Sequence, residues 1–206
     1  MPYFYNDKIV NILFIHIPKT GGTSVETYLS KKYNIELNEK SLFIYKKHFM
    51  NASYQHQLYI NIKNNKDFFN INFNEIFIFT VVRNPYDRIV SDLFFLKIIN
   101  DEMSTENICS VIKDEYLIKS YDNHSIPQHL FLLDEDGEIN ENIKILKTET
   151  LNEDMYNLGY KDFKNHLYKI EKKKNTIDYL NSESIRIIND YYDMDFLLFG
   201  YEKLTV

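Results

Sequence analysis

The sequence lacks the residue patterns that are typical of disulfide-rich, repetitive or membrane-spanning proteins. Its 206 residues include one cysteine, no tryptophan, five glycines and four prolines. The single thiol, Cys109, excludes an internal disulfide and a zinc site made of cysteines. The apolar run at 10–17 is too short to cross a bilayer, and no basic stretch and cleavage site frame it as a signal peptide. We therefore expect no membrane span and a cytoplasmic location.

Aromatic and aliphatic residues are abundant instead. Hydrophobic residues make up 44% of the chain, with 17 tyrosines and 15 phenylalanines. This composition excludes intrinsic disorder, and we expect a single domain over residues 1–206, because a chain of this length can bury a core of its own. The 30 acidic side chains outnumber the 24 basic ones and give a net charge of −6. Since proteins that bind nucleic acids usually present a basic face, we expect no nucleic-acid partner.

Two segments of the chain have the pattern of a buried strand, a turn and a helix. In the first, the apolar run at 10–17 ends at Pro18, and an apolar helical stripe begins after Gly21-Gly22. In the second, the run at 76–82 is followed by Asn84 as N-cap and Pro85 as first helical residue, with the helix continuing to about residue 99.

The rest of the chain continues this alternation. A third strand is predicted at 143–147, and Thr150-x-x-Glu153 has the spacing of a capping box for the next helix. A helix is predicted at 184–192, before an aromatic tail at 196–201. Strands that alternate with helices indicate an α/β fold with a central parallel sheet.

The turn after the first strand has the composition of an anion-binding loop. It reads Pro-Lys-Thr-Gly-Gly-Thr-Ser over residues 18–24, directly before a helix. Backbone N–H groups at a helix N-terminus bind anions, the glycines allow close approach, and Lys19 adds a positive charge. The loop is not a Walker A motif, because its lysine precedes the glycines. A plain turn rich in glycine and threonine is the simpler alternative.

The second strand also ends in a group suited to an anion. Arg83 follows the strand at the edge where open parallel sheets bind ligands, and Ser91 lies two helical turns further on. An arginine and a serine can hold one phosphate between them. The alternative is that Arg83 pairs with a nearby carboxylate and that Ser91 lies on the helix surface.

Together the two motifs resemble the signatures of the P-loop sulfotransferases that use 3′-phosphoadenosine 5′-phosphosulfate (PAPS), in particular the branch that includes the carbohydrate O-sulfotransferases. The first signature is similar to residues 15–24 and the second to residues 79–91. Segments 145–154 and 195–201 are also similar to family segments. The resemblance spans nearly the whole chain and is weakest over 100–124. Asp92 departs from the family pattern, since relatives often carry a small or aromatic residue there.

The resemblance implies a three-layer α/β P-loop fold and assigns roles to particular residues. The first loop would cradle the 5′-phosphosulfate of PAPS, while Arg83 and Ser91 would bind its 3′-phosphate. Lys19 would stabilise the leaving group. The residues of the first loop that the resemblance implicates in donor binding are Lys19, Thr20, Gly21, Gly22, Thr23 and Ser24.

A base that takes the proton of the acceptor hydroxyl is also expected. The family places it between the two motifs, where His48 and His56 lie. His56 follows a glutamine and stands 27 residues before Arg83, close to the family interval, whereas His48 stands 35 residues before it. We assign His56 and keep His48 as the alternative. The interpretation of His16 is structural, His124 and His129 flank a loop that could line the acceptor cleft, and His166 is expected to be solvated.

The leading hypothesis is therefore transfer of a sulfuryl group from PAPS to a hydroxyl-bearing acceptor, most simply a glycan, without a metal. One alternative is a small P-loop kinase that acts on a nucleotide or a sugar, although the Walker lysine is missing. Another is an inactive nucleotide-binding module. The sequence leaves the acceptor and the oligomeric state open.

Overall fold

The central element of the fold is a four-stranded sheet. The computed structural model describes residues 1–6, 9–44, 48–119, 121–165 and 173–206. Strands follow the order β1-β2-β5-β6, in which β1 is antiparallel to β2 and the other pairs are parallel. A separate hairpin pairs β3 with β4. The strands are β1 (Tyr3–Asn6), β2 (Val10–Ile15), β3 (His48–Phe49), β4 (Ala52–Ser53), β5 (Phe77–Val82) and β6 (Ile143–Lys147).

Helices follow the parallel strands and the loops between them. The α-helices are α1 (Gly22–Tyr33), α2 (Tyr59–Asn64), α3 (Lys66–Phe69), α4 (Pro85–Phe95), α5 (Thr105–Val111), α6 (Leu151–Asn157), α7 (Ser182–Tyr191) and α8 (Asp193–Phe199). Short 3₁₀ turns connect several of them, one at Tyr54–His56 and one at Tyr121–Asn123.

Both faces of the sheet are buried, as the continuous apolar strands predict. On one face Phe14 and Phe79 pack with residues of α1 and α6, such as Leu29 and Met155. On the other face Ile15 packs with the side chains of α2 and α3. A further cluster joins α4, α5, α7 and α8. The result is the predicted three-layer α/β arrangement, with a central sheet that is mostly parallel.

Three local features differ from the sequence-based expectations. Helix α4 ends at Phe95, because Lys97 adopts a positive φ of 59° and its N–H bonds back to a carbonyl of the last turn. Thr150 does not form a capping box with Glu153; its hydroxyl donates to Asp154 instead, at 2.8 Å. The antiparallel β1 was not predicted, and most of the aromatic tail is helix α8.

One close approach constrains the turn between β2 and α1. His16 is 5% exposed, and its Nδ1 is hydrogen-bonded to the fully buried Glu26 of α1. The imidazole lies directly against Gly22, where a Cβ atom would come within 2.4 Å of two ring atoms. Gly22 is therefore required by packing, since its backbone conformation is an ordinary helical one.

We predict that Gly22→Ala destabilises the protein by about 1–3 kcal/mol, the usual cost of overpacking a buried site. The added methyl group must displace His16 from its carboxylate or shift the start of α1. Chemical denaturation measures the free energy of unfolding, with Ser30→Ala in the same helix as the matched control. A Gly22→Ala protein within about 0.5 kcal/mol of wild type would contradict the prediction.

Candidate functional site

The first candidate loop lies where β2 ends and α1 begins. Lys19 and Gly21 both adopt positive φ values, 68° and 93°, which turns the chain sharply before the helix. The hydroxyl of Thr20 donates to the carbonyl of Ile17 at 2.8 Å and fixes this turn. Gly21 is the N-cap and contributes no side-chain hydrogen bond, so the first N–H groups of α1 have no side-chain cap. This end of a twelve-residue helix carries the positive end of its dipole.

A buried hydroxyl at the same helix start points to a missing partner. Ser24 is 3% exposed, and its Oγ makes no hydrogen bond with the residues that the structure describes. Leaving a buried polar atom unpaired costs about 1–3 kcal/mol. An anion at the N-terminus of α1 would supply an acceptor for this hydroxyl, so the loop fits a phosphate or sulfate group.

Two cations meet at the edge where the parallel strands end. Arg83 follows β5, and its Nη1 donates to the backbone carbonyl of Lys19 at 3.1 Å. Burial lowers the pKa of Lys19, and the positive charge of Arg83 lowers it further against the opposing effect of Asp92. Burial also lowers the pKa of Arg83. Both shifts show positive charge that has lost part of its hydration, which an incoming anion would offset.

The second motif is held in place by hydrogen bonds from distant segments. Asn84 caps α4 by accepting from the N–H of Tyr86, with Pro85 as the first helical residue, as predicted. The side chain of Gln128 bonds both the N–H and the carbonyl of Arg83 at 2.9 Å. Ser91 is buried on α4, which contradicts a surface position.

The end of β6 joins the two motifs. The hydroxyl of Thr148 donates to the carbonyl of Thr20 at 2.6 Å and contacts that of Val82 at 3.1 Å. Glu149 accepts from the N–H of Asn84 at 2.8 Å. The three parallel strands therefore end at a single edge, with both predicted motifs side by side.

The two candidate bases have very different surroundings. His48 is exposed on the β3–β4 hairpin. His56 is 5% exposed, and its Nδ1 is hydrogen-bonded to Asp122 at 2.8 Å. Burial lowers the pKa of His56 to about 3, despite the opposing effect of its hydrogen bond to Asp122. The pKa of Asp122 is lowered to about 2, because its bonds to His56 and Ser53 outweigh the effect of its own burial. His56 is therefore a neutral imidazole oriented by an ionised carboxylate.

The sequence-based reasoning missed a further histidine pair. Asp92 accepts from Nδ1 of His124 at 2.7 Å and from the hydroxyl of Tyr116 at 2.6 Å. The ring of His124 stacks on Phe95, with centroids 5.7 Å apart, and meets His56 edge to face at 5.1 Å. The sequence pointed to Asp92 only as a departure from the family pattern and to His124 only as a neighbour of a loop that could line the acceptor cleft, and it gave no sign that the two are paired.

The structure describes two of the three remaining histidines, His16 and His129. His16 is buried with Glu26, in agreement with a structural role, and it also meets His56 edge to face at 5.1 Å. His129 is bound to Asp195 at 2.8 Å. His166 lies outside the described residues.

One group of described side chains has the composition of a metal site. Ligand atoms of His56, Asp122 and His124 all lie within 4.8 Å of one another. In both histidines, however, Nδ1 is already hydrogen-bonded to a carboxylate. This arrangement equally suits neutral imidazoles that take up protons, and the absence of a metal stays a prediction.

Among the described residues, no helix has the length and apolar character that a membrane crossing requires. Searches of curated proteins and of solved structures find no significant match. A family model described as "Sulfotransferase family" matches residues 1–202, which include both motifs and all the histidine pairs above. The chain belongs to the sulfotransferase family.

Proposed function

We propose that this protein is a PAPS-dependent sulfotransferase that sulfates a hydroxyl group of an acceptor, with a carbohydrate as the leading acceptor class. The observation that carries the proposal is the pair of partly desolvated cations, Lys19 and Arg83, beside the unpaired hydroxyl of Ser24. These groups are suited to a donor with anionic groups at both ends of its nucleotide. Family membership supports sulfuryl transfer as the reaction.

The two motifs divide the donor between them. Lys19, Thr20, Gly21, Gly22, Thr23 and Ser24 would hold the 5′-phosphosulfate at the N-terminus of α1. Arg83 and Ser91, both on or next to α4, would hold the 3′-phosphate. When bound, PAPS supplies an activated sulfuryl group. The chain's own task is then to align the donor with the acceptor and to stabilise the charge that develops.

Lys19 and His56 would act on opposite sides of the sulfuryl group. Lys19 neutralises the charge that grows on the bridging oxygen as the nucleotide leaves. His56 takes the proton of the acceptor hydroxyl, and Asp122 keeps its ring in the required tautomer. We prefer His56 to His48, because His56 is held by a carboxylate and its ring contacts those of His16 and His124. These three residues, His16, His56 and His124, form the histidine cluster.

The acceptor is proposed on the family resemblance. An array of glycans and other alcohols, incubated with labelled PAPS, would identify it. Transfer to no hydroxyl in such an array, with efficient transfer to an amine instead, would overturn O-sulfation.

Donor recognition predicts a specific pattern of ligand stabilisation. We expect adenosine 3′,5′-bisphosphate to raise the melting temperature without Mg²⁺, and more than ATP with Mg²⁺ does. Arg83→Ala should weaken the bisphosphate by about 2–4 kcal/mol, the scale of a lost charge-assisted bidentate contact, while barely affecting adenosine 5′-phosphate. Thermal-shift titrations measure both effects, and Arg186→Ala on the exposed face of α7 is the control. Equal losses of affinity for adenosine 3′,5′-bisphosphate and adenosine 5′-phosphate would mean that Arg83 stabilises the fold and does not bind the 3′-phosphate. Greater stabilisation by ATP with Mg²⁺ would favour a kinase.

The role of Lys19 predicts a loss of turnover with little loss of donor binding. Lys19→Ala should lower kcat by roughly 10²- to 10³-fold, the scale of one transition-state charge contact. Affinity for the bisphosphate should fall much less. Steady-state kinetics and titration of the same preparation test this, with Lys31→Ala near the other end of α1 as the matched control. Turnover near the wild-type rate would remove Lys19 from the catalytic step.

The choice of base predicts that His56→Ala abolishes most turnover and leaves bisphosphate binding intact, while His48→Ala keeps substantial activity. The two variants are compared by kcat and by ligand-induced stabilisation. An inactive His48 variant beside an active His56 variant would reverse the assignment.

The pKa of His56 extends this prediction to pH. A base must be neutral, and burial lowers the pKa of His56 to about 3, so its protonation should not reduce kcat between pH 8 and pH 5. The unfolded chain has an ordinary histidine pKa near 6.5. Between about pH 6.5 and pH 3 the unfolded chain therefore binds a proton at His56 that the folded chain does not bind. The contribution of His56 to stability is lost as pH falls below about 6.5. kcat and the free energy of unfolding must be measured at the same pH values.

A further inference from the structure

The Asp92–His124 pair has the features of a working acid–base group. Asp92 is completely buried on α4 and binds Nδ1 of His124 at 2.7 Å, while Tyr116 donates to its other oxygen at 2.6 Å. An ionised carboxylate on Nδ1 holds the proton there, which leaves the lone pair on Nε2. This is the arrangement that positions a histidine to accept a proton.

The pair also lies next to the proposed reaction centre. The ammonium of Lys19 sits 3.9 Å from the centroid of the Phe95 ring, and His124 stacks nearly parallel on the same ring, with a 7° angle between planes. Phe95 is 54% exposed, so this end of the array borders solvent. On its other side His124 touches His56. His124 therefore lies between the lysine of the donor loop and the proposed base.

We propose that His124, oriented by Asp92, is a second acid–base residue of the sulfuryl transfer, and that it works as one unit with His56. This inference rests on the proposed function. The bond between the acceptor oxygen and sulfur forms while the bond between sulfur and the bridging oxygen breaks, and the electron pair of that bond leaves with the phosphate. The acceptor proton passes to His56, the base proposed above, and from there to Nε2 of His124, where Asp92 stabilises the resulting positive charge.

Because the two imidazoles are in edge-to-face contact, the unit can carry only one additional proton at a time. The ring centroids of His56 and His124 are 5.1 Å apart in a buried environment, where two positive charges repel strongly. The pair therefore takes up one proton in each turnover. Groups that act as one unit show strongly non-additive losses when they are removed together.

Single and double substitutions test the unit. We expect His124→Gln to lower kcat by about 10²-fold, with bisphosphate binding and the KM for PAPS within about threefold of wild type. Asp92→Asn should lower kcat about tenfold through the orientation of His124, again without a change in bisphosphate binding. Adding His56→Gln to His124→Gln should cost no more than about threefold beyond the worse single variant. Activity is measured with PAPS and the acceptor found in the array.

His129→Gln is the matched control. This histidine is held by Asp195 through the same Nδ1 contact but is not part of the ring array, and its substitution should keep kcat within about threefold. If His124→Gln does not fold, Asp92→Asn and Tyr116→Phe test the same carboxylate without touching the ring.

Three results would overturn the inference. They are a His124→Gln protein with wild-type kcat, losses at His56 and His124 that multiply in full, and equal losses of turnover and bisphosphate binding. If Asp92→Asn and Tyr116→Phe are used instead, wild-type kcat in both variants would also overturn the inference. Failure of the proposed function is distinct, because a wild-type protein that neither binds the bisphosphate nor uses PAPS would show it before any substitution is made.

Discussion

The arrangement of the site depends on one buried guanidinium. Arg88 is 2% exposed in α4, and its nitrogens donate to the carbonyls of Pro18, Ile126 and His124 at 3.1, 2.9 and 2.7 Å. Each buried carbonyl would be costly to leave unpaired, so this one side chain fixes two separate segments, the turn at Pro18 and the loop at 124–126, against one helix. The first segment is the glycine-rich loop between β2 and α1, and the second is the 121–127 loop, which carries His124. Arg88 therefore helps to set where the glycine-rich loop and His124 lie relative to each other.

The candidate site contains two positive charges, although the chain as a whole is acidic. The net charge is −6, yet Lys19 and Arg83 lie together at the carboxyl edge of the sheet, and burial lowers the pKa of both. Folding therefore removes hydration from two like charges without pairing either one fully. A bound anion would offset that cost and satisfy Ser24 as well, so the binding of an anion here would stabilise the fold. The net negative charge of the chain also disfavours polyanions that have no specific contacts.

Local patterns in the sequence were sufficient to predict the framework. Continuous apolar runs identified β2 and β5, a third strand was predicted where β6 lies, and Asn84-Pro85 located the start of α4, because these signals are short-range. The antiparallel β1 was missed, since an edge strand of four residues has too little pattern to recognise. The Asp92–His124 bond joins residues 32 apart and the Arg88–Pro18 bond residues 70 apart. No periodicity or spacing encodes such contacts, so they become visible only in the folded chain.

The histidine cluster shows why these long-range contacts matter for chemistry. Three adjacent imidazoles are tolerable in a buried space, because each is hydrogen-bonded to a carboxylate. The carboxylates come from three different segments: Glu26 from α1, Asp122 from the turn after α5, and Asp92 from α4. The cluster is therefore complete only when α1 and α4 are docked together, which is the arrangement that Arg88 enforces. Since the two candidate anion-binding motifs adjoin the same two helices, an anion bound across them would also stabilise the geometry of the histidine cluster.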